Sequence, residues 1–134
     1  MNKYEFVYRA AAALLGAVTG YLYGGWSPLL KVLITFVIID YVTGLLAASY
    51  TGALSSKVGF KGIAKKVMLF FVVAGAHLCD LAIGVDQVIM SAAIYFYIAN
   101  ELLSILENAG RTGLPVPDQI KNAVQILKRK GDQK

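Results

Sequence analysis

Apolar residues in this chain fall into four long runs, and the length of those runs decides the fold class before any single residue does. Residues 10–30 carry no charge, 32–56 carry only Asp40, 67–85 carry only Asp80 beside the polar His77, and 87–106 carry only Glu101. A helix rises about 1.5 Å per residue, so about 20 mostly apolar residues cross the hydrocarbon core of a bilayer. The pattern predicts four transmembrane helices over those ranges. Gly110, Gly113, Pro115 and Pro117 then stop the last of them. From Asp118 to Lys130 helical spacing resumes, with Ile120, Val124 and Leu127 on one face and Lys121, Lys128, Arg129 and Lys130 elsewhere, which predicts a short amphipathic helix lying on the membrane surface. The expected fold is an all-α integral membrane protein, with a four-helix transmembrane domain over 1–110 and a basic tail over 111–134.

Within the runs, small residues recur at intervals of four. Ala12, Gly16, Gly20 and Gly24 share one face of the first helix, and Gly44, Ala48 and Gly52 continue the face of Asp40 on the second. Such faces let helix backbones approach closely, so both are expected to be packing seams. Tyr21, Tyr23 and Trp26 suit an interfacial aromatic belt. The stretch from Ser55 to Lys66 reads as a compact link in which Gly59 and Gly62 permit turns and Lys57, Lys61, Lys65 and Lys66 meet anionic headgroups.

Composition removes the soluble alternatives. Hydrophobic residues make up 57% of the 134, and the mean hydropathy is +0.62, too apolar for a small soluble globule. The net charge of +5 comes from 13 Lys and Arg residues clustered at the ends of apolar runs, which suits membrane topology rather than nucleic acid. Lys3, Arg9, the four link lysines and the tail cations fall on one side of a four-span topology, and Lys31 stands alone on the other. Positive residues are retained inside, so both termini are expected in the cytoplasm. The N-terminal MNKYEFVYR has the charge of a signal-peptide start, but the apolar run after it continues to Leu30, and we read it as a retained first helix. One cysteine and one histidine supply no disulfide and no metal framework, and no nucleophile, phosphate loop or cofactor motif is present, which argues against an enzyme.

The candidate chemistry is three acids inside apolar helices. A charged group at the bilayer centre costs about 2.5 to 3.5 kcal/mol on insertion scales, so Asp40, Asp80 and Glu101 either face water or a neighbouring helix, or sit protonated and hydrogen-bonded within the bundle. Arg9 is a possible partner for Glu101, and His77, three residues before Asp80, either pairs with it or is a neutral, satisfied core histidine. Asn100, Ser104, Glu107 and Asn108 form a polar stripe at the end of the fourth helix.

With these residues assembled, the chain resembles the bacteriophage holin family, the toxin secretion/phage lysis holins. The resemblance rests on Asp40-x-x-Thr43-Gly44, Gly52 with Ser55, Gly59-x-Lys61-Gly62 through Lys65-Lys66, Asp80, and Asn100-Glu101-x-x-Ser104-Ile105-x-Glu107-Asn108 followed by Gly113-x-Pro115-x-Pro117. It covers residues 38–117; the first span matches only in being hydrophobic. The resemblance implies a homo-oligomer in the bacterial cytoplasmic membrane that opens holes, lets an endolysin or a toxin through and leads to host lysis. Its pore and oligomer residues would be Asp40, Asp80, Asn100, Glu101, Ser104 and Glu107. Partners would be other copies, anionic lipids and a functional endolysin, with no cofactor. The competing reading is a small oligomeric four-span transporter or ion channel using an intramembrane carboxylate.

The charge asymmetry generates a topology test. In a Cys79→Ser background, a membrane-impermeant thiol reagent added to intact cells is expected to label Ser27→Cys and Asp86→Cys but not Ser56→Cys or Gln133→Cys. Labelling at position 133 would reverse the orientation.

Overall fold

Polar and glycine residues at the run ends set where each helix starts and stops. Asn2 accepts a hydrogen bond from the Tyr4 N–H, Ser27 from the Leu30 N–H with Pro28 in the first turn, and Ser55 from the Val58 N–H. Each of these side chains satisfies one of the N–H groups that a helix start leaves without an internal partner. Gly24 and Gly84 close helices in the left-handed conformation, at φ 72° and 83°. The computed structural model describes residues 2–132, with residues 124, 127, 128 and 130–132 described by backbone alone. The side chains of Lys128 and Lys130, expected at the lipid surface, therefore lie outside the described residues, as do Met1, Gln133 and Lys134.

Five helices result: α1 (Lys3–Tyr23), α2 (Pro28–Tyr50), α3 (Ser56–Ile83), α4 (Val88–Arg111) and α5 (Asp118–Asp132), with no strand among the described residues. The first four are long and apolar enough to cross a membrane. Two boundaries differ from expectation in an informative way. The run over 10–30 is not one helix: α1 begins at Lys3, Gly24 ends it, and Ser27 and Pro28 start α2, so residues 28–30 belong to the second helix. The compact link over 55–66 is not a link at all. It forms the first turns of α3, which runs for 28 residues, about 42 Å at helical rise. Gly59 and Gly62 serve close approach there instead of turning. A Cβ on Gly62 would stand 3.3 Å from Tyr41 Cε2, and one on Gly59 would stand 3.5 Å from Tyr41 Oη.

Helices α2, α3 and α4 make the core, with Leu30, Leu33 and Val37 packed against Leu69, Val73 and Ala76 and against Met90 and Ile94. α1 lies on α3 and buries none of its residues. Tyr23, which ends α1, ties it down by donating to the Phe70 carbonyl at 3.0 Å. The outward faces carry Phe71, Tyr95, Phe96 and Leu81, all exposed, as lipid-facing surface requires. Lipid tails are as apolar as these side chains, so burial alone does not hold such helices together. Close packing and interhelical hydrogen bonds must.

One of those polar clamps joins α3 to α4. The N-cap position of α4 is Gln87, at φ 55° and without a side-chain cap. Asp80, at 1% exposure, does the capping from the preceding helix: Oδ1 accepts from the Ile89 N–H and Oδ2 from the Met90 N–H, both at 2.8 Å. Its carbonyl also accepts from the N–H groups of Gly84 and Val85. Asp80 was a pore candidate; the structure makes it the anchor of the α3–α4 turn, where a carboxylate also complements the positive end of the helix dipole.

Replacing Asp80 by Ala strands two buried N–H groups, each costing about 1–3 kcal/mol, whereas Asn retains one acceptor. Unfolding in detergent micelles followed by circular dichroism should rank wild type above Asp80→Asn and Asp80→Asn above Asp80→Ala. Equal stability of all three would remove the capping role.

Candidate functional site

Each core helix carries an inward seam spaced alternately by three and four residues. On α2 it runs Leu30, Leu33, Val37, Asp40, Gly44, Ala47; on α3, Gly59, Gly62, Lys66, Leu69, Val73, Ala76, Asp80; on α4, Met90, Ile94, Tyr97, Glu101, Ser104, Asn108. That spacing is the one by which helices interlock side by side. It carries Asp40, Lys66, Glu101, Ser104 and Asn108 into the same junction.

Lys66 is the centre of it. Its Nζ lies 2.6 Å from Asp40 Oδ2 and 2.8 Å from Glu101 Oε2, so one ammonium from α3 bridges a carboxylate of α2 and a carboxylate of α4. Asn108, buried on α4, donates from Nδ2 to Asp40 Oδ1 at 2.9 Å, to the Asp40 carbonyl at 3.2 Å and to Thr43 Oγ1 at 3.0 Å. Gly44 lies beside it: a Cβ there would stand 3.6 Å from the Asn108 amide nitrogen, an ordinary contact distance. Asp40 and Glu101 are 8% and 7% exposed, and Thr43 and Ser104 add hydroxyl groups beside them. Charges so placed lose their hydration, and mutual attraction compensates only when hydrogen bonds satisfy the remaining lone pairs, which Asn108 does for Asp40.

The structure therefore sorts the candidates. Asp40 and Glu101 are brought together, and Lys66, expected at the headgroups with Lys57, Lys61 and Lys65, joins them; the other three are exposed. Lys66 differs from Lys65 by the 100° turn of one helical residue, and the three-and-four series from Gly59 is the signal that finds it. Within one chain the partner of Glu101 is Lys66, while Arg9 is exposed on α1. The polar stripe of α4 does not share one environment: Asn100 and Glu107 are exposed, Ser104 is half-buried and Asn108 is buried. Asp80 belongs to the opposite end of the bundle. No hydrogen bond joins it to His77, whose buried Nδ1 has no partner; nothing in the structure explains that orphan.

The small-residue seams divide as well. Gly16 and Gly20 face outward, with nothing within 4 Å of an added Cβ. Gly24 is a helix cap whose Cβ would stand 2.9 Å from His77 Cε1, and Gly52, at φ 75°, lies in the turn after α2 rather than on its packing face. Ala48 is buried as expected. Arg129 on α5 is exposed.

Removing Lys66 leaves two buried acids without their cation, a change that costs about 3–5 kcal/mol when a buried pair loses one partner. Lys66→Met is expected to lower unfolding stability in micelles by that order. Adding Asp40→Asn and Glu101→Gln to it should restore part of the loss. An additive cycle, with no recovery in the triple variant, would mean that the three residues do not act as a unit.

Similarity to known proteins covers this whole region. A family model described as the bacteriophage holin family matches residues 17–129. An uncharacterized protein of Halalkalibacterium halodurans is 51% identical over 134 residues, spanning 96% of this chain and 98% of that protein. One from Listeria innocua is 48% identical over 130 residues, spanning 96% of this chain and 93% of its own. A protein of Bacillus phage phi105 named probable holin is 33% identical over 114 residues, spanning 85% of this chain and 84% of its own. No solved structure matches. The matched residues include all of α2, α3 and α4 with their shared ionic junction, and the chain belongs to the bacteriophage holin family.

Proposed function

We propose that the protein is a holin that accumulates in the bacterial cytoplasmic membrane, with both termini inside, and opens holes through which an endolysin or a toxin passes. The observation that carries this reading is the holin-family match across the helices that build the ionic junction. Family membership also supports a non-enzymatic role. The geometry supplies a physical route. Within one chain, Asp40, Lys66, Glu101 and Asn108 are joined by ion pairs and hydrogen bonds. At the edge of a water-filled hole, water can take over those bonds, so the same groups tolerate two states that an apolar core would not. α1 is the element free to bring copies together, because none of its residues is fully buried in its own chain and its Gly16 and Gly20 stand open. Association then depends on the density of copies in the membrane, with little leak below a threshold.

Induced expression with membrane potential and release of a cytoplasmic enzyme followed together tests the reading. Collapse of the potential with enzyme release is the expected result. Collapse with the enzyme retained would instead favour the small transporter or channel, for which the buried carboxylates would be the ion site.

Gly20→Leu tests the role of α1 separately. The added side chain meets open space in the single chain, so folding and insertion should be unaffected. Crosslinked oligomers should decline and lysis should be delayed at matched membrane levels. An unchanged oligomer ladder would place the association surface elsewhere.

A further inference from the structure

The ionic junction does not balance. One ammonium stands 2.6 Å and 2.8 Å from two carboxylates, and among the described residues no second cation lies within ion-pair distance of either acid. With all three groups ionised, a net negative charge would sit where α2, α3 and α4 meet, with both acids more than nine-tenths buried. The penalty for holding an uncompensated ion out of water is several kcal/mol, and a group so placed changes its protonation state instead. A neutral Lys66 would worsen matters by leaving two anions face to face. The correction must fall on an acid.

The two acids are not equivalent. Asp40 receives a donor at each oxygen, Asn108 Nδ2 at Oδ1 and Lys66 Nζ at Oδ2, which is what an ionised carboxylate requires. Glu101 accepts from Lys66 Nζ at Oε2, and its carboxyl also lies within hydrogen-bonding reach of the Asp40 carboxyl, a contact that needs a proton on one of the two. We propose that the junction is a proton-binding site: in the resting bundle Glu101 carries a bound proton, Asp40 and Lys66 form the ion pair, and the cluster is neutral.

The inference goes beyond hole formation and stands without it, because it concerns the charge of the closed bundle. The charged groups facing Glu101 are Asp40 from α2 and Lys66 from α3. Any rearrangement that lets water into the junction hydrates the acid; the Glu101 O–H bond then breaks and its proton passes to water. Opening thereby releases one proton per chain, and the closed state is the proton-loaded one.

Infrared spectroscopy of the full chain in phosphatidylglycerol vesicles at neutral pH tests this directly. The expected spectrum contains a carbonyl stretch of a protonated carboxylic acid. That band should move to lower wavenumber in protein grown with 13C-labelled glutamate, stay in place with 13C-labelled aspartate, and disappear in Glu101→Gln. The lipid ester carbonyls absorb nearby but are untouched by protein labelling, so the band is read in the labelled-minus-unlabelled difference spectrum. If Glu101→Gln does not fold, the labelled wild-type protein decides alone. Absence of the band would overturn the proposal and mean that the junction holds a net negative charge. A band that moves with aspartate labelling would overturn the assignment to Glu101.

Discussion

The Lys66 bridge is the interaction on which the arrangement of this bundle depends. Between lipid-exposed helices there is no difference in hydrophobicity to drive association, and many rotations and shifts of three apolar helices would pack almost equally well. An ammonium that must reach Asp40 on one neighbour and Glu101 on another removes most of those alternatives, since a shift of one residue would leave buried charge unpaired. Asn108 tightens the constraint by binding the backbone and the side chain of Asp40 together. The ionic junction therefore sets register, while the apolar seam of Leu30, Leu33, Val73, Met90 and Ile94 supplies close packing.

The opposite end is fixed by a different device. Asp80 caps the start of α4 from the end of α3, so these two helices are clamped at the α3–α4 turn and again at the junction. α2 shares the junction through Asp40, which Lys66 of α3 and Asn108 of α4 both bind. α1 has neither kind of clamp. Its attachments are at its C-terminal end, where Tyr23 bonds Phe70 and Gly24 lies against His77 and Gln87. Stability is thus concentrated in α2, α3 and α4, and the first helix is the least buried of the four long helices.

Much of this was legible in the sequence, because a membrane imposes a length on apolar runs and few other constraints produce four of them. The errors came from residues with two uses. Glycine permits turns but also permits close contact, and Gly59 and Gly62 do the second beneath the ring of Tyr41. Lysine near an apolar run marks the inner side, and four lysines close together read as one group, although only three of them are exposed. Reading Lys66 correctly required extending α3 backwards to Ser56, after which the three-and-four spacing places it beneath Leu69 and Val73. Asp80 was harder. A cap supplied by the preceding helix to N–H groups of Ile89 and Met90 exists only once the turn at Gly84 has been built.

The arrangement also bears on how a helical core inside a membrane can carry charge at all. A core that is apolar throughout resists water in every arrangement, and a core with unpaired charges would not close at all. Here the charges are paired within the chain, through bonds that water can replace on similar terms. The apolar seam favours the packed bundle, and the ionic junction lowers the penalty for hydrating its core. α1 adds little to either term, because none of its residues is buried, so the balance between packing and hydration is set within α2, α3 and α4.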